Sequence, residues 1–197
     1  MPSDLRAQSA PVYSYSEREA WQRRERALLD AHFYPHFAED GQFIVLGHSP
    51  GSVAANRKLH IDVFVRAAGA VQTLALDEKI DRKLRSTFFA ETWSDREREK
   101  PGWMVEGVSD ADLLLWAFKR LRPPGLVVYV LRFPEFRAWF WRQFNLFPGR
   151  FGDAHQIRNQ EGRRRWVTEG FSVPIADVPT THFLRHKELV TAQATLL

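Results

Sequence analysis

Five short apolar runs, each able to form a β-strand, constrain the fold of this 197-residue chain more than any other feature. Charged or turn-forming residues separate the runs, which is typical of strands in a sheet. The runs occupy residues 42–49, 60–67, 70–80, 111–118 and 126–133. The short AAGA segment between the second run and the third predicts a hairpin. A sheet of about five strands follows from this pattern.

Helical segments lie on both sides of the strand region along the chain. Ser16 and Glu19 have the spacing of a capping box, which predicts a helix within residues 14–33. Pro134 is well placed for the first turn of a second helix over residues 134–144. Helices and strands in this order predict the α/β fold class.

The length of the chain is that of one domain with a substantial core. We divide it into a flexible N-terminal arm (1–15), a core (16–145) and a C-terminal extension packed on the same domain (146–197). Residues 81–108 are interpreted as an irregular charged connection. The extension predicts one strand over 165–178 and a terminal helix over 181–193.

The composition indicates an ordered globular protein. Hydrophobic residues make up 44% and charged residues 26% of the chain, with seven Trp and fifteen Phe. The net charge of +4 suits a polyanionic partner, and the absence of cysteine excludes disulfides and thiolate metal sites. The first residues lack the regions of a signal peptide, and no apolar run reaches the roughly 18 residues that span a bilayer. We therefore expect a cytoplasmic protein without a membrane partner.

The GHSPG sequence at residues 47–51 has the Gly-x-Ser-x-Gly spacing on which α/β-hydrolases place a nucleophilic serine. In that turn the residue after the serine donates its main-chain N–H to the oxyanion. Pro50 follows Ser49 here and has no N–H to donate. We interpret the segment as a turn between strands.

Two histidine pairs have the four-residue spacing that aligns side chains on one helical face, His32 with His36 and His182 with His186. Neither pair has the glutamate that directly follows the first histidine in zinc proteases. The chain also has no cysteine to complete a zinc shell. Polar helix faces are the better interpretation of both pairs.

The segment TLALDEKID, residues 73–81, begins as a mainly apolar strand and ends in adjacent charged residues. Residues two apart on a strand share a face, so Asp77 and Lys79 point the same way and Glu78 points the opposite way. If the preceding apolar run is the adjacent antiparallel strand, Asp62 can lie across from the end of this one. Two carboxylates and one ammonium group would then meet at one edge of the sheet.

Asp62, Asp77 and Lys79 have the chemistry of a phosphate-hydrolysing site. Carboxylate oxygens hold Mg²⁺ while leaving it several waters, and the ion can polarise a phosphate and acidify a bound water. A nearby lysine can orient or deprotonate the attacking water and counter the developing charge. The alternative is that Asp77, Glu78 and Lys79 are exposed strand-end charges and Asp62 a hairpin residue.

The chain resembles the PD-(D/E)xK nuclease superfamily in one combination of features. An acid lies in one strand of a hairpin, and the next strand is apolar and ends in Asp-x-Lys. A helix precedes this hairpin, and two more strands and a helix follow it. The resemblance covers residues 16–145, and Ile61 stands where the motif has its proline. It implies a restriction-endonuclease-like α-β-β-β-α-β core, with a central mixed sheet of about five strands flanked by helices.

The resemblance also implies the role of each site residue. Asp62 and Asp77 would bind Mg²⁺, with Mn²⁺ as an alternative ion. The main-chain carbonyl of Glu78 would complete the metal shell, and Lys79 would position the attacking water. Glu25 stands where some members carry an extra acid, but a solvated helix charge is the simpler interpretation, as it is for the arginine-rich residues 23–26.

Further residues are candidates for nucleic-acid contacts, because aromatic rings stack on unpaired bases and cations bind phosphates. The candidates are Trp93 and Lys100, with Glu91 and Trp103 as further groove residues, and Arg163, Arg164 and Arg165 in the tail. The alternative for the first group is a long surface loop anchored by buried tryptophans. The alternative for the arginines is a solvated face.

The predicted function is metal-dependent, endonuclease-like hydrolysis of DNA phosphodiester bonds through Asp62, Asp77 and Lys79. The sequence does not separate DNA from RNA, and it is compatible with a homodimer or a larger protein complex. One alternative is a non-catalytic nucleic-acid-binding or assembly factor on the same fold. Another is an interaction factor whose Phe and Trp residues form a partner surface.

Overall fold

The computed structural model describes residues 13–14, 25–35, 43–48, 61–67, 69–122 and 124–190. The strands in these ranges are β1 (Tyr13–Ser14), β2 (Phe43–His48), β3 (Val63–Ala67), β4 (Thr73–Asp81), β5 (Thr87–Asp95), β6 (Lys100–Pro101), β7 (Leu113–Leu121), β8 (Pro124–Arg132), β9 (His155–Glu161), β10 (Arg164–Pro174) and β11 (Phe183–Val190).

Helices are few. Helix α1 covers residues 25–35 and contains a π turn at Leu29–Phe33, and α2 covers Phe133–Leu146. Two short 3₁₀ turns follow β10, at Ile175–Asp177 and Thr180–His182. None of the helices in the described ranges is long and apolar enough to cross a membrane.

A six-stranded mixed sheet carries the predicted strands in the order β11-β8-β7-β4-β3-β2. Only β4 and β7 are parallel within it, and each other neighbouring pair is antiparallel. The predicted hairpin between the second and third apolar runs is confirmed as β3–β4. The parallel pair requires a long crossover, which residues 82–112 provide.

The second sheet has five strands in the order β1-β9-β10-β5-β6, and it is also mixed, because β1 runs parallel to β9. Strands β9 and β10 form a hairpin, which we call the β9–β10 ribbon. Gly162 and Arg163 connect its strands, and Gly162 has a φ of 58°. A glycine with positive φ at the first position of a two-residue turn matches the twist of the flanking strands.

Helix α1 covers one face of the six-stranded sheet. Leu29 and Phe33 of the helix are fully buried against Val63, Leu76 and Leu115 of β3, β4 and β7. Alternate residues of the same strands point to the other face, as the two-residue period of a strand requires. The helix therefore packs on the face to which the side chain of Glu78 belongs.

The other face of the six-stranded sheet packs on the five-stranded sheet and on α2. Phe88 of β5 is fully buried, with ring centroids 5.0 Å from Trp116 and 6.0 Å from Phe118. Phe136 of α2 closes on the same ring at 6.0 Å. Most aromatic residues pack in this core. In the described ranges no tryptophan is exposed, and Phe147 is the phenylalanine recorded as exposed.

The α/β class with a mixed central sheet is confirmed, but two local predictions are wrong. The connection over 81–108 contains β5 and β6, because Phe88, Ala90 and alternating neighbours bury one face against the first sheet. The terminal helix over 181–193 is instead β11 in its described part, because its main chain pairs with β8 along the sheet edge. One face of the six-stranded sheet is therefore covered by a helix, α1, and the opposite face is covered by the second sheet together with α2.

Candidate active site

The register of the β3–β4 hairpin brings Asp62 to Asp77. Val63 pairs with Leu76, so the residue before β3 lies beside the residue after Leu76. The main-chain N–H of Asp62 donates to the carbonyl of Leu76 at 2.9 Å, and Oδ2 of Asp62 accepts from the N–H of Glu78 at 2.9 Å. The structure thus places the carboxylate of Asp62 directly against the charged end of β4.

Asp77 is a buried carboxyl group, with 1% of the residue exposed. The ammonium nitrogen Nζ of Lys79 donates to its Oδ1 at 2.8 Å and lies 2.7 Å from its Oδ2. No hydrogen-bond donor in the described residues is aligned with Oδ2 itself. Burial raises the pKa of Asp77 to about 7, with the charge of Lys79 opposing the rise and that of Asp62 adding to it.

Lys79 lies between Asp77 and the aromatic core. Its Nζ is 5.4 Å from the ring centroid of Trp103, close enough for a cation–π attraction. Its side chain keeps 22% of its surface exposed. The ammonium group is therefore oriented by a carboxylate and a ring while one side remains open to solvent.

Asp62 is held by a residue of α1. Oδ1 of Asp62 lies 3.0 Å from Nη2 of Arg26, while its Oδ2 is taken by the N–H of Glu78. Burial alone would raise the pKa of Asp62, but the main-chain bond and the charges of Lys79 and Arg26 lower it below its ordinary value. Asp62 and Asp77 thus have pKa values shifted in opposite directions, an arrangement found in paired carboxyl groups with separate roles.

The side chain of Glu78 points to the α1 face, away from Asp77, as the strand alternation predicts. Nε of Arg26 donates to its Oε2 at 2.5 Å, and the hydroxyl of Tyr34 donates to its Oε1. Only 1% of this side chain is exposed. Burial raises the pKa of Glu78, and the charge of Arg26 opposes that rise.

Two carboxylates and one main-chain carbonyl are available to a cation at this point. The N–H and C=O of a strand residue point toward the same neighbouring strand, so the carbonyl of Glu78 points to the side of Asp62. Strand β3 begins opposite Leu76 and does not extend alongside Glu78. Across the described ranges, no group of three or more acidic or histidine side chains is arranged to hold a metal ion.

Glu25 is not the solvated charge that the sequence suggested. It is 4% exposed and its Oε1 lies 2.5 Å from Nζ of Lys119 on β7, while its Oε2 has no hydrogen-bond partner among the described residues. The simpler interpretation of Glu25 is therefore wrong. Its ion pair fastens α1 to the six-stranded sheet beside the Arg26 contacts.

The predicted groove residues are distributed over the second sheet and its loops. Trp103 is 3% exposed and packs edge-on against Trp116, so it belongs to the core. Trp93 is half-buried and covered by the guanidinium of Arg96 at 4.9 Å. Lys100 is exposed on β6. The alternative of a segment anchored by a buried tryptophan fits Trp103.

The predicted arginine cluster lies at the tip of the β9–β10 ribbon. Arg163 is in the turn, and Arg164 and Arg165 begin β10, all three exposed. Nη2 of Arg164 lies 3.8 Å from Asp95, whereas Arg163 and Arg165 have no ion pair within the described ranges. These two cations are available to an external anion.

The serine motif and the two histidine pairs are described only in part. Ser49 and Pro50 lie outside the described residues, as does His36. His186 lies on β11 and stacks on Tyr129 at 4.5 Å, so the pair that it forms with His182 is not on a helix, and the helix-face interpretation of that pair is wrong.

The sequence did not point to Arg26 and Tyr34 as site residues. Arg26 belongs to a charge run that resembled a solvated helix face, and Tyr34 carried no signal. On a regular α-helix an arginine and a tyrosine eight residues apart are about 80° apart around the axis, so the spacing alone does not give them one common partner such as Glu78.

A scan against protein-family models, a search of curated proteins and a search of solved structures each gave no match to this chain.

Proposed function

We propose that Asp62, Asp77 and Lys79 form a divalent-cation-dependent phosphodiesterase site that hydrolyses DNA. The observation that carries the proposal is the convergence of two carboxyl groups and a lysine: the β3–β4 register puts Asp62 beside the buried Asp77, and Nζ of Lys79 lies 2.7 to 2.8 Å from both carboxylate oxygens of Asp77. Carboxylate oxygens are the ligands that Mg²⁺ prefers, and a cationic side chain beside them can counter the charge of a phosphate. The proposal includes a cytoplasmic location and DNA as the substrate.

The residues present fit a cation such as Mg²⁺ or Mn²⁺. Asp62 and Asp77 would hold it through their carboxylates, and the carbonyl of Glu78 would add a main-chain oxygen. When bound, the ion would polarise the phosphate and lower the pKa of a coordinated water. Nζ of Lys79, now on Asp77, would be freed to orient the attacking water and to counter charge on the phosphate.

The element order supports the same proposal in part. A helix precedes three strands, β2 to β4, that form an antiparallel meander, and β7 then adds parallel to β4, which agrees with an α-β-β-β core followed by a further strand. One departure is clear. Between β4 and β7 the restriction-endonuclease-like core has a helix, whereas this chain has β5 and β6.

A nuclease panel tests the proposal. Supercoiled plasmid, single-stranded DNA and RNA would be incubated with the protein in Mg²⁺, in Mn²⁺ and in EDTA. We expect cation-dependent nicking of DNA, which Lys79→Met abolishes without changing the affinity for Mn²⁺ measured by calorimetry. Arg142→Met, an exposed change on α2, is the control for loss of one cation. Cleavage of RNA alone, or equal cleavage in EDTA, would contradict the proposal.

A second candidate is a non-catalytic nucleic-acid-binding or assembly factor on this fold. The observation in its favour is that the acids already have cationic partners, Arg26 at Asp62 and Lys79 at Asp77. Such a cluster is electrically satisfied without an added ion. A protein that binds DNA in the panel but neither cuts it nor binds Mn²⁺ would establish this second candidate.

A further inference from the structure

The side chains of Arg26, Tyr34 and Glu78 lie beside the proposed site and have no part in the proposed chemistry; Tyr34 and Glu78 are buried, and Arg26 is partly exposed. The carboxylate of Glu78 is 1% exposed and lies behind the sheet, with Arg26 on one oxygen and Tyr34 on the other. Burying a charge this completely is costly unless it is paired and hydrogen-bonded. Both partners come from α1, so the helix meets the sheet here through a polar contact, in addition to the Glu25–Lys119 ion pair.

A π turn is what brings the two partners together. Arg26 and Tyr34 are eight residues apart, and in a regular α-helix that spacing leaves side chains about 80° out of line. The π turn at Leu29–Phe33, closed by the N–H of Tyr34 on the carbonyl of Leu29, takes up one additional residue. Eight residues then complete two turns, and both side chains reach Glu78.

The guanidinium group of Arg26 contacts the carboxylates of both Glu78 and Asp62. Its Nε is 2.5 Å from Oε2 of Glu78, while its Nη2 also contacts Oδ1 of Asp62 at 3.0 Å. The planar guanidinium fixes direction as well as charge, because its donors are held in a rigid fork. Oδ2 of Asp62 is fixed independently by the N–H of Glu78. The carboxylate plane of Asp62 is therefore determined from two sides.

We propose that Arg26 is a positioning residue that sets the carboxylate of Asp62 for cation binding, held in place by Glu78 and Tyr34. This inference rests on the proposed function. Hydrogen-bond partners of ligating carboxylates set ligand orientation, and their loss commonly lowers metal affinity or activity by about 10- to 100-fold. In this proposal Arg26 acts through Asp62, which it contacts directly.

The test compares variants that separate geometry from charge. Arg26→Lys keeps the positive charge and removes the fork, and we expect Mn²⁺ affinity, measured by calorimetry, to fall by about 10- to 100-fold. Tyr34→Phe removes only the donor to Glu78, and we expect a smaller loss in the same direction. The second variant keeps the inference testable if the first does not fold.

Glu25→Gln is the matched control. It breaks another buried ion pair between α1 and the same sheet, formed with Lys119 on β7, which contacts none of the three proposed site residues. A purely structural role predicts that all three variants lose stability in urea yet keep the parent affinity for Mn²⁺. That result would overturn the inference while leaving the proposed function intact. A parent protein that binds no Mn²⁺ would instead refute the proposed function, and this inference would fall with it.

Discussion

Oδ2 of Asp62 accepts a hydrogen bond from the main-chain N–H of Glu78, with 2.9 Å between oxygen and nitrogen. The β3–β4 pairing ends at Val63 and Leu76, so this oxygen replaces the main-chain carbonyl that a longer β3 would offer to Glu78. A side chain thereby completes the edge of the β3–β4 ladder at the point where the strands part. The same bond holds one proposed ligand at a fixed distance from the strand that carries the other. Structure and proposed chemistry therefore depend on one carboxylate.

Two substitutions at Asp62 should separate these roles. Asp62→Ala leaves the N–H of Glu78 without its acceptor, and losing a partner for a buried donor costs about 1 to 3 kcal/mol. Asp62→Asn keeps an oxygen acceptor of the same shape and should cost less, while losing the charge that binds a cation. Urea unfolding should rank the variants in this order, and both should lose cleavage. Equal stability of the two variants would show that the Asp62–Glu78 bond contributes nothing.

The β9–β10 ribbon should contribute phosphate contacts. On duplex DNA each neutralised phosphate adds roughly 0.9 to the slope of log affinity against log salt. Replacing Arg163, Arg164 and Arg165 together by Ala should therefore flatten that slope by one to three such steps, measured by fluorescence anisotropy in EDTA. Arg142→Ala on α2 is the control and should leave the slope unchanged. An unchanged slope in the triple variant would move the binding face elsewhere.

Asp95 should give the fold an acid-sensitive contact. Burial would raise its pKa, but Nη1 of Arg98 at 2.6 Å, the N–H of Arg98 and the charge of Arg164 lower it below its ordinary value of 3.8. Because the folded pKa is below the unfolded one, the stabilisation is complete above about pH 4 and is lost as pH falls through the folded pKa. Asp95→Asn should lower the urea midpoint at pH 7, and its difference from the parent should shrink below pH 4.

The exposed change Asp110→Asn is the control for this pH experiment. It should not reproduce the loss at pH 7. A deficit in Asp95→Asn that stays constant down to pH 3 would show that the ionised carboxylate is not what stabilises the β5–β6 hairpin.

The central strands could be predicted because their apolar runs are buried on both faces, as in β7, where Leu113 through Phe118 are all buried. Strand β5 was missed although Phe88, Ala90 and Thr92 are buried alternately along it, because the apolar Phe89 interrupts the apolar–polar alternation and a charged segment follows. In β11 the apolar pairs Phe183–Leu184 and Leu189–Val190 also fit a helix. Pairing with β8 along its length decides the outcome, and no local residue encodes that pairing.

The proximity of Asp62, Asp77 and Lys79 could be predicted from the sequence. Asp77 and Lys79 are two apart on a strand, and a hairpin brings Asp62 alongside them. Arg26 was not predictable, because its contact with Glu78 depends on a π turn that shifts the helix register by one residue. Glu25 was misjudged for a related cause. Glu25 lies in a run of charged residues, which is typical of a solvated helix face, and the sequence does not show that Lys119 of β7 pairs with it.

The most direct test of the account is plasmid cleavage by Asp77→Asn in Mg²⁺, beside DNA binding in EDTA. The change is isosteric and removes a buried charge, so the fold should be retained, which urea unfolding would check. We expect cleavage to fall at least about 100-fold, because the variant loses a ligand whose ion stabilises charge on the phosphate. DNA binding should stay equal to that of the parent or become tighter, since a negative charge near phosphate is gone. Cleavage at the parent rate would contradict the account.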